Sequence, residues 1–126
     1  MDFCLEIVRI VEEYFIIGME IRGKMKKGYQ EKILRVGLTT GEIKTETLEE
    51  QIYRRYLEGS ALASYFLLKE IKTGVDPLGK ENVLVFTCSV INGLPVPGAT
   101  RYTVAAKSPL ISGFSEAEAD GYCGPS

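Results

Sequence analysis

The feature that most constrains this chain is the run Val83-Leu84-Val85-Phe86-Thr87-Cys88-Ser89-Val90. In a strand, successive side chains point to opposite faces of the sheet, and this run places apolar side chains on both. A strand of that composition is expected inside a sheet with cover on each side. Its neighbours in sequence supply partners. Residues 29–47 read as a β-hairpin, with strands over Ile33–Leu38 and Ile43–Thr47. The turn Thr39-Thr40-Gly41-Glu42 puts glycine where a positive φ is often required. Tyr102–Lys107 reads as a further strand. Asn92–Thr100, with two glycines and two prolines, reads as loop.

Two helices are expected between the hairpin and the apolar strand. The first begins at Thr47, whose hydroxyl is an N-cap candidate, with Glu50 completing a capping box. It runs through Ile52, Tyr53, Tyr56 and Leu57 to a stop at Gly59. The second covers Ala61–Lys72, with Leu62, Tyr65, Phe66, Leu68 and Ile71 on one side; Gly74 ends it and Pro77 lies beyond. Residues 2–17 read as an amphipathic helix, because Cys4, Ile7, Val8, Val11, Tyr14 and Phe15 recur at helical spacing. The β-branched Ile7, Val8, Ile10, Val11, Ile16 and Ile17 make a strand the alternative. From Ser108 onward the chain is small, polar and glycine-bearing, with the texture of a ligand-facing loop or a tail. The fold class expected is α+β, with a mostly antiparallel sheet, two central helices and an N-terminal helix.

Composition narrows the function classes. The 126 residues carry a net charge of −2 and a pI near 5.3, without the basic surplus typical of a nucleic-acid-binding protein. The short cluster Arg22, Lys24, Lys26, Lys27 is flanked by acids and reads as a solvated segment. Glu6, Arg9, Glu12, Glu13 and Glu20 interrupt the apolar stretch 3–21, so neither a membrane span nor a signal peptide is expected, and a cytoplasmic setting fits. The three cysteines, Cys4, Cys88 and Cys123, are far apart and form no CxxC pair. A disulfide framework is therefore not expected. Nor is a four-iron cluster held by this chain alone, since such a cluster takes four thiolates. With no histidine, imidazole metal ligands and Ser-His or Cys-His pairs are absent. No catalytic residue and no protein metal ligand is assigned.

Five segments in order resemble the aldehyde ferredoxin oxidoreductase family, in the opening part of its N-terminal domain. They are GYQEKILRVGLTTGEIKTETL at 28–48, YLEGSALASYFLLKEI at 56–71, GVDPLGKENVLVF at 74–86, INGLPVPGATRYTVAAKSPL at 91–110 and ADGYCGP at 119–125. The resemblance divides the chain into an extension, 1–27, and a partial pterin-binding domain, 28–126. It implies a β-sandwich-like base carrying tungsten or molybdenum between two pterin dithiolenes, with magnesium at the pterin phosphates. In such a site the pterins supply the sulfur ligands of the metal. The reaction implied for the whole enzyme is oxidation of an aldehyde to an acid, with electrons passed to ferredoxin.

Residue by residue, Arg101 matches the arginine that contacts the pterin cofactor, and guanidinium donors suit phosphate and pterin oxygens. Glu118, Ala119, Asp120 and Gly121 match the loop beside the pterin phosphates. Glu116, Glu118 and Asp120 offer three carboxylates that would attract magnesium but repel a bare phosphate. A solvated acidic loop is the other reading. Departures accompany the match: Gly59-Ser60-Ala61 stands where the family shows Gly-Arg-Gly, Ser89-Val90 where it shows Gly-Pro or Gly-Val, and Cys123 where it shows an aromatic residue. The family's cluster cysteines and acid–base groups lie in domains beyond this segment, so the resemblance implies a truncated N-terminal domain that does not catalyse alone, with a stand-alone metal-pterin-binding or accessory subunit of a split oxidoreductase as the alternative. A homodimer, or a chain supplying the missing domains, is the expected assembly.

Overall fold

The computed structural model describes residues 14–17, 32–57, 59–88, 97 and 100–120. Six strands and two helices follow in the order β1 (Tyr14–Ile17), β2 (Lys32–Val36), β3 (Ile43–Thr47), α1 (Glu50–Arg55), α2 (Gly59–Glu70), β4 (Val83–Cys88), β5 (Tyr102–Lys107) and β6 (Phe114–Ala119). They form one sheet in the order β3-β2-β1-β4-β5-β6. The pairs β1–β2, β2–β3, β4–β5 and β5–β6 are antiparallel, and β1–β4 is parallel. The α+β expectation with a mostly antiparallel sheet holds. No helix among the described residues is long and apolar enough to cross a membrane.

The apolar run is indeed central: β4 lies between β1 and β5. Val83, Val85 and Thr87 are buried under α2, while Leu84, Phe86 and Cys88 on the other face are half-buried. Helix α2 packs on β4 and β5 through Leu62, Ala63, Phe66 and Leu67, and with Ile33, Leu48, Tyr53, Val83, Val85 and Ala105 these form the core. Each large apolar side chain buried this way contributes roughly 1.5–3 kcal/mol. Tyr56 and Tyr65 extend the core as a ring contact at 5.0 Å.

Several elements differ from the expectation. Residues 14–17, placed in an N-terminal helix, form strand β1, whose backbone pairs with β2 and β4; residues 2–13 lie outside the described set. The β-branched pair Ile16-Ile17 suits a strand position between two neighbours better than a helix. Thr47 does not cap α1. It is the last residue of β3, in register with Lys32, and the N-cap is Glu49, with no side-chain cap bond. Leu68 is 84% exposed, because the buried stripe runs through 62, 63, 66 and 67. Segment 114–119, read as loop, is strand β6. The turn glycines behave as expected: Gly41 has φ 69 in the β2–β3 hairpin and Gly74 has φ 85 after α2.

One polar contact ties the hairpin to the helix layer. Arg35 Nη2 on β2 donates to Glu70 Oε1 at the end of α2, at 2.7 Å. Its Nε lies 2.9 Å from Glu46 Oε1 on β3, within ion-pair range but off the line of a hydrogen bond. The hydrogen bond that Arg35 donates to Glu70 raises the Arg35 pKa, with burial opposing it. A folded value raised above the unfolded one means the contribution is fully present below the ordinary arginine range and fades only as pH rises through it. Glu70→Gln is therefore expected to cost about 1–2 kcal/mol in urea unfolding. The loss is expected to be the same at about pH 6 and at about pH 9. A loss that collapses between those values would show that the guanidinium pairing is not its source.

Candidate functional site

The corner that holds Arg101 is assembled by the β5–β6 register. Tyr102 faces Ala119 and Thr103 faces Glu118, so the residues just before β5 meet those just after β6. Arg101 is exposed and its Nη1 lies 3.9 Å from Glu118 Oε2. The Thr100 hydroxyl donates to Asp120 Oδ1. Ser60 Oγ donates to Glu118 Oε1 at 3.3 Å, which brings the N-terminal turn of α2 to the same corner.

That approach depends on Gly59. It is buried, and a Cβ there would stand 2.6 Å from Thr103 Oγ1 and 3.2 Å from Thr103 Cβ. Its carbonyl accepts a buried hydrogen bond from the Thr87 hydroxyl at 2.6 Å. The start of α2 is thus laid directly on β4 and β5. No acidic residue lies in the first turn of α2, and Glu118 on the neighbouring strand supplies the negative charge that a helix N-terminus favours.

Arg101, Glu118 and Asp120 are therefore brought together, with Ala119 half-buried between the two acids. Glu118 and Ala119 lie on β6 rather than in a loop, and Gly121 is outside the described residues. Glu116 is exposed on β6 opposite Ala105, further along the strand. Side chains two apart on a strand stand roughly 6.6 Å apart, so Glu116, Glu118 and Asp120 are strung out rather than convergent. Among the described residues no group of three acidic or cysteine side chains is placed to hold a metal ion. Ser60 and Thr100 were not singled out from sequence; a hydroxyl in the first turn of a helix and another beside the arginine were the available signals.

Chemically, the corner offers an exposed guanidinium, two hydroxyls and the start of a helix to an anion. Glu118 already takes the Ser60 donor. A phosphate entering here would displace that carboxylate or share a cation with it. A separate cleft of about 340 Å³ lies near the other end of α2, with Leu67, Leu68, Ile71, Lys72, Lys107 and Phe114 among its lining.

Comparison with known proteins gives concordant results. Residues 33–126 match the family model described as the aldehyde ferredoxin oxidoreductase N-terminal domain. The tungsten-containing aldehyde ferredoxin oxidoreductase of Pyrococcus abyssi is 43% identical over 97 residues, covering 77% of this chain and 16% of that protein. Its counterpart in Thermococcus kodakarensis is 41% identical over 93 residues, covering 74% of this chain and 15% of that protein. The WOR-like subunit of the aliphatic sulfonate oxidoreductase of Pyrococcus furiosus is 34% identical over 88 residues, covering 68% of this chain and 14% of that protein. Among solved structures, the BamBC active-site complex of benzoyl-coenzyme A reductase with 1,5-dienoyl-CoA shares the fold. It superposes with a TM-score of 0.64 at 21% identity, over 86% of this chain and 14% of that one. The chain spans about a sixth of the length of the tungsten-containing relatives it matches. With the six-stranded sheet and the matched segment in agreement, the chain belongs to the aldehyde ferredoxin oxidoreductase N-terminal domain family.

Proposed function

We propose that this chain is a base for a tungsten- or molybdenum-bis-pterin site and needs further protein to catalyse anything. Residues 28–126 are the pterin-facing unit in this reading, and residues 1–27 complete its sheet through β1. The observation that carries the proposal is the placement of Arg101, exposed at a corner shared with Glu118 and Asp120. The bound metal would supply the redox chemistry, aldehyde to acid with electrons leaving to ferredoxin. Arg101 would donate to phosphate or pterin oxygens, in the fork geometry that suits them. Glu118 and Asp120 would be the residues to hold a magnesium ion, whose charge would offset their repulsion of a phosphate. The cluster thiolates and acid–base groups, which this segment does not carry, would come from further protein in the cytoplasm. That one relative is named as a subunit supports a shared assembly of this kind. A homodimer is the second arrangement, because among the described residues the sheet ends in exposed strands on both sides.

The test is tungsten, molybdenum and pterin content of natively purified protein, by elemental analysis and pterin fluorescence. Arg101→Ala is expected to lower the bound pterin roughly ten- to a hundredfold, the loss of one charge-assisted contact. Its circular dichroism should stay unchanged, because the side chain is exposed. Equal pterin content in the variant, or none in the wild type together with its partners, would defeat the reading.

A further inference from the structure

The edge strand β3 combines full exposure with an ordered charge pattern. All five of its residues are exposed, and it ends the sheet beyond β2. Among the described residues no strand pairs with its outer side, and the groups on that side can be identified. Gly37 N–H donates to Glu42 O at 2.8 Å, so Gly37 and Glu42 are a hydrogen-bonded pair of the hairpin. Such pairs alternate along an antiparallel ladder, so Arg35–Lys44 and Ile33–Glu46 are hydrogen-bonded too. The backbone groups of Ile43, Thr45 and Thr47 therefore point away from β2.

The charges are arranged symmetrically about Thr45. Lys44 precedes it and Glu46 follows, both on the same face of the sheet, with side chains 63% and 48% exposed. If two copies pair antiparallel about a two-fold axis at Thr45, each Lys44 stands opposite the partner copy's residue 46, a glutamate. Thr45 and its copy exchange the central backbone bonds. The Lys–Glu pairs then fall at non-hydrogen-bonded positions, where side chains come closest. Ile43 meets the threonine of the other copy on the opposite face.

We propose that β3 is the surface through which two copies of this chain associate, joining their sheets edge to edge. The inference deepens the homodimer reading and rests on it. The opposite edge does not offer the same fit. A two-fold pairing of β6 about Ala117 sets Glu116 against Glu118 on both sides, and one about Glu116 sets glutamate against glutamate. Like charges directly opposite disfavour pairing and are a known guard on edge strands. The present partners of the β3 charges, Glu42 for Lys44 at 3.0 Å and Arg35 for Glu46, are intrachain and leave both side chains accessible. A five-residue polar contact is small, so the association should be weak and depend on salt.

Sedimentation equilibrium of the full chain from about 1 µM to about 1 mM tests this. The expected result is a mass rising from 14.0 kDa toward twice that value. Lys44→Glu and Glu46→Lys should each weaken association at least about tenfold, since each makes every facing pair like-charged. Mixing the two variants should restore it, because a hetero-pair again sets Lys against Glu at both positions. The double reversal should associate as the wild type does. Thr45→Pro should abolish association while keeping the β2–β3 ladder, because the Thr45 N–H points outward. If Glu46→Lys fails to fold for want of its Arg35 contact, Lys44→Glu and Thr45→Pro carry the test. A wild type that stays monomeric to about 1 mM overturns both this proposal and the homodimer reading. A dimer indifferent to Thr45→Pro overturns the β3 surface alone.

Discussion

Asn82→Leu is expected to destabilise the protein by about 3–4 kcal/mol and lower its Tm by roughly 10 °C. Asn82 is 3% exposed and sits immediately before β4. Its amide Nδ2 donates to Pro77 O at 2.7 Å and to Lys107 O at 3.0 Å. Its Oδ1 accepts from Val83 N at 2.9 Å and from Lys107 N at 3.3 Å. One side chain thus closes the 76–82 turn and fastens it to the end of β5. Leucine keeps the branched heavy-atom framework with bulkier methyl ends, and it leaves buried backbone donors and acceptors without partners. Each such group costs about 1–3 kcal/mol, and several are stranded together. The loss is large against a typical total of about 5–15 kcal/mol. Asn82→Ala should cost less, because the vacated space admits a water that can bridge some of these groups. Urea unfolding of the two variants checks the order, and a leucine variant within about 1 kcal/mol of wild type would show that the network is dispensable.

Asn82 also illustrates what the sequence left unread. A polar residue before an apolar run looks like the end of a loop, and only the tertiary placement of Lys107 beside Pro77 makes it a junction. The hairpin, both helices and strands β4 and β5 were legible because each carried a local signal. Gly41 marked the turn, Gly74 the helix stop, and β-rich apolar runs the strands. Strand β6 was not legible. Its sequence, Phe-Ser-Glu-Ala-Glu-Ala, alternates at period two, but the alternation is between acids and small residues on an exposed edge. Burial, the usual arbiter of such patterns, is missing there. Strand β1 failed for the opposite reason: its apolar residues fit a helical spacing as well as a strand. Its pairing with β4 joins residues far apart in sequence, which local propensity does not encode.

The site followed the same rule. Arg101 and the 118–120 segment were matched by resemblance, and the β5–β6 register then brings them to one corner. Their neighbours Ser60 and Thr100 were not found, since their nearness arises from the docking of α2 and from the hairpin ends. The departure at Gly59-Ser60-Ala61 gains a meaning in the same way. The arginine expected after Gly59 is replaced by a serine whose hydroxyl reaches Glu118. The positive charge of the corner therefore comes from Arg101 on the other side of that carboxylate.

Gly59→Ala provides the sharper test of how that corner is held. In the interior of an ordinary helix, replacing glycine by alanine stabilises by roughly 0.5–1 kcal/mol, an upper bound for the first turn. Here the added Cβ would lie 2.6 Å from Thr103 Oγ1, 3.2 Å from Thr103 Cβ and 3.4 Å from Thr87 O. Thr103 is 3% exposed and β-branched, so it has little freedom to turn aside. Rotating its χ1 exchanges the hydroxyl for a larger methyl group or forces a strained rotamer. Relief must then come from lifting α2 off the sheet, which lengthens the 2.6 Å bond from the Thr87 hydroxyl to Gly59 O and moves Ser60 away from Glu118. Overpacking of this kind costs typically about 1–3 kcal/mol, which outweighs the propensity gain. The sign of the change is therefore expected to be destabilising, by about 2 kcal/mol in urea unfolding. A second substitution identifies the cause. Thr103→Ala removes the nearest atom, so the double variant should recover about 1 kcal/mol or more relative to the sum of the two single changes. Additive losses, or a Gly59→Ala protein more stable than wild type, would mean that α2 has room to shift and that glycine is not what sets the close approach at this corner.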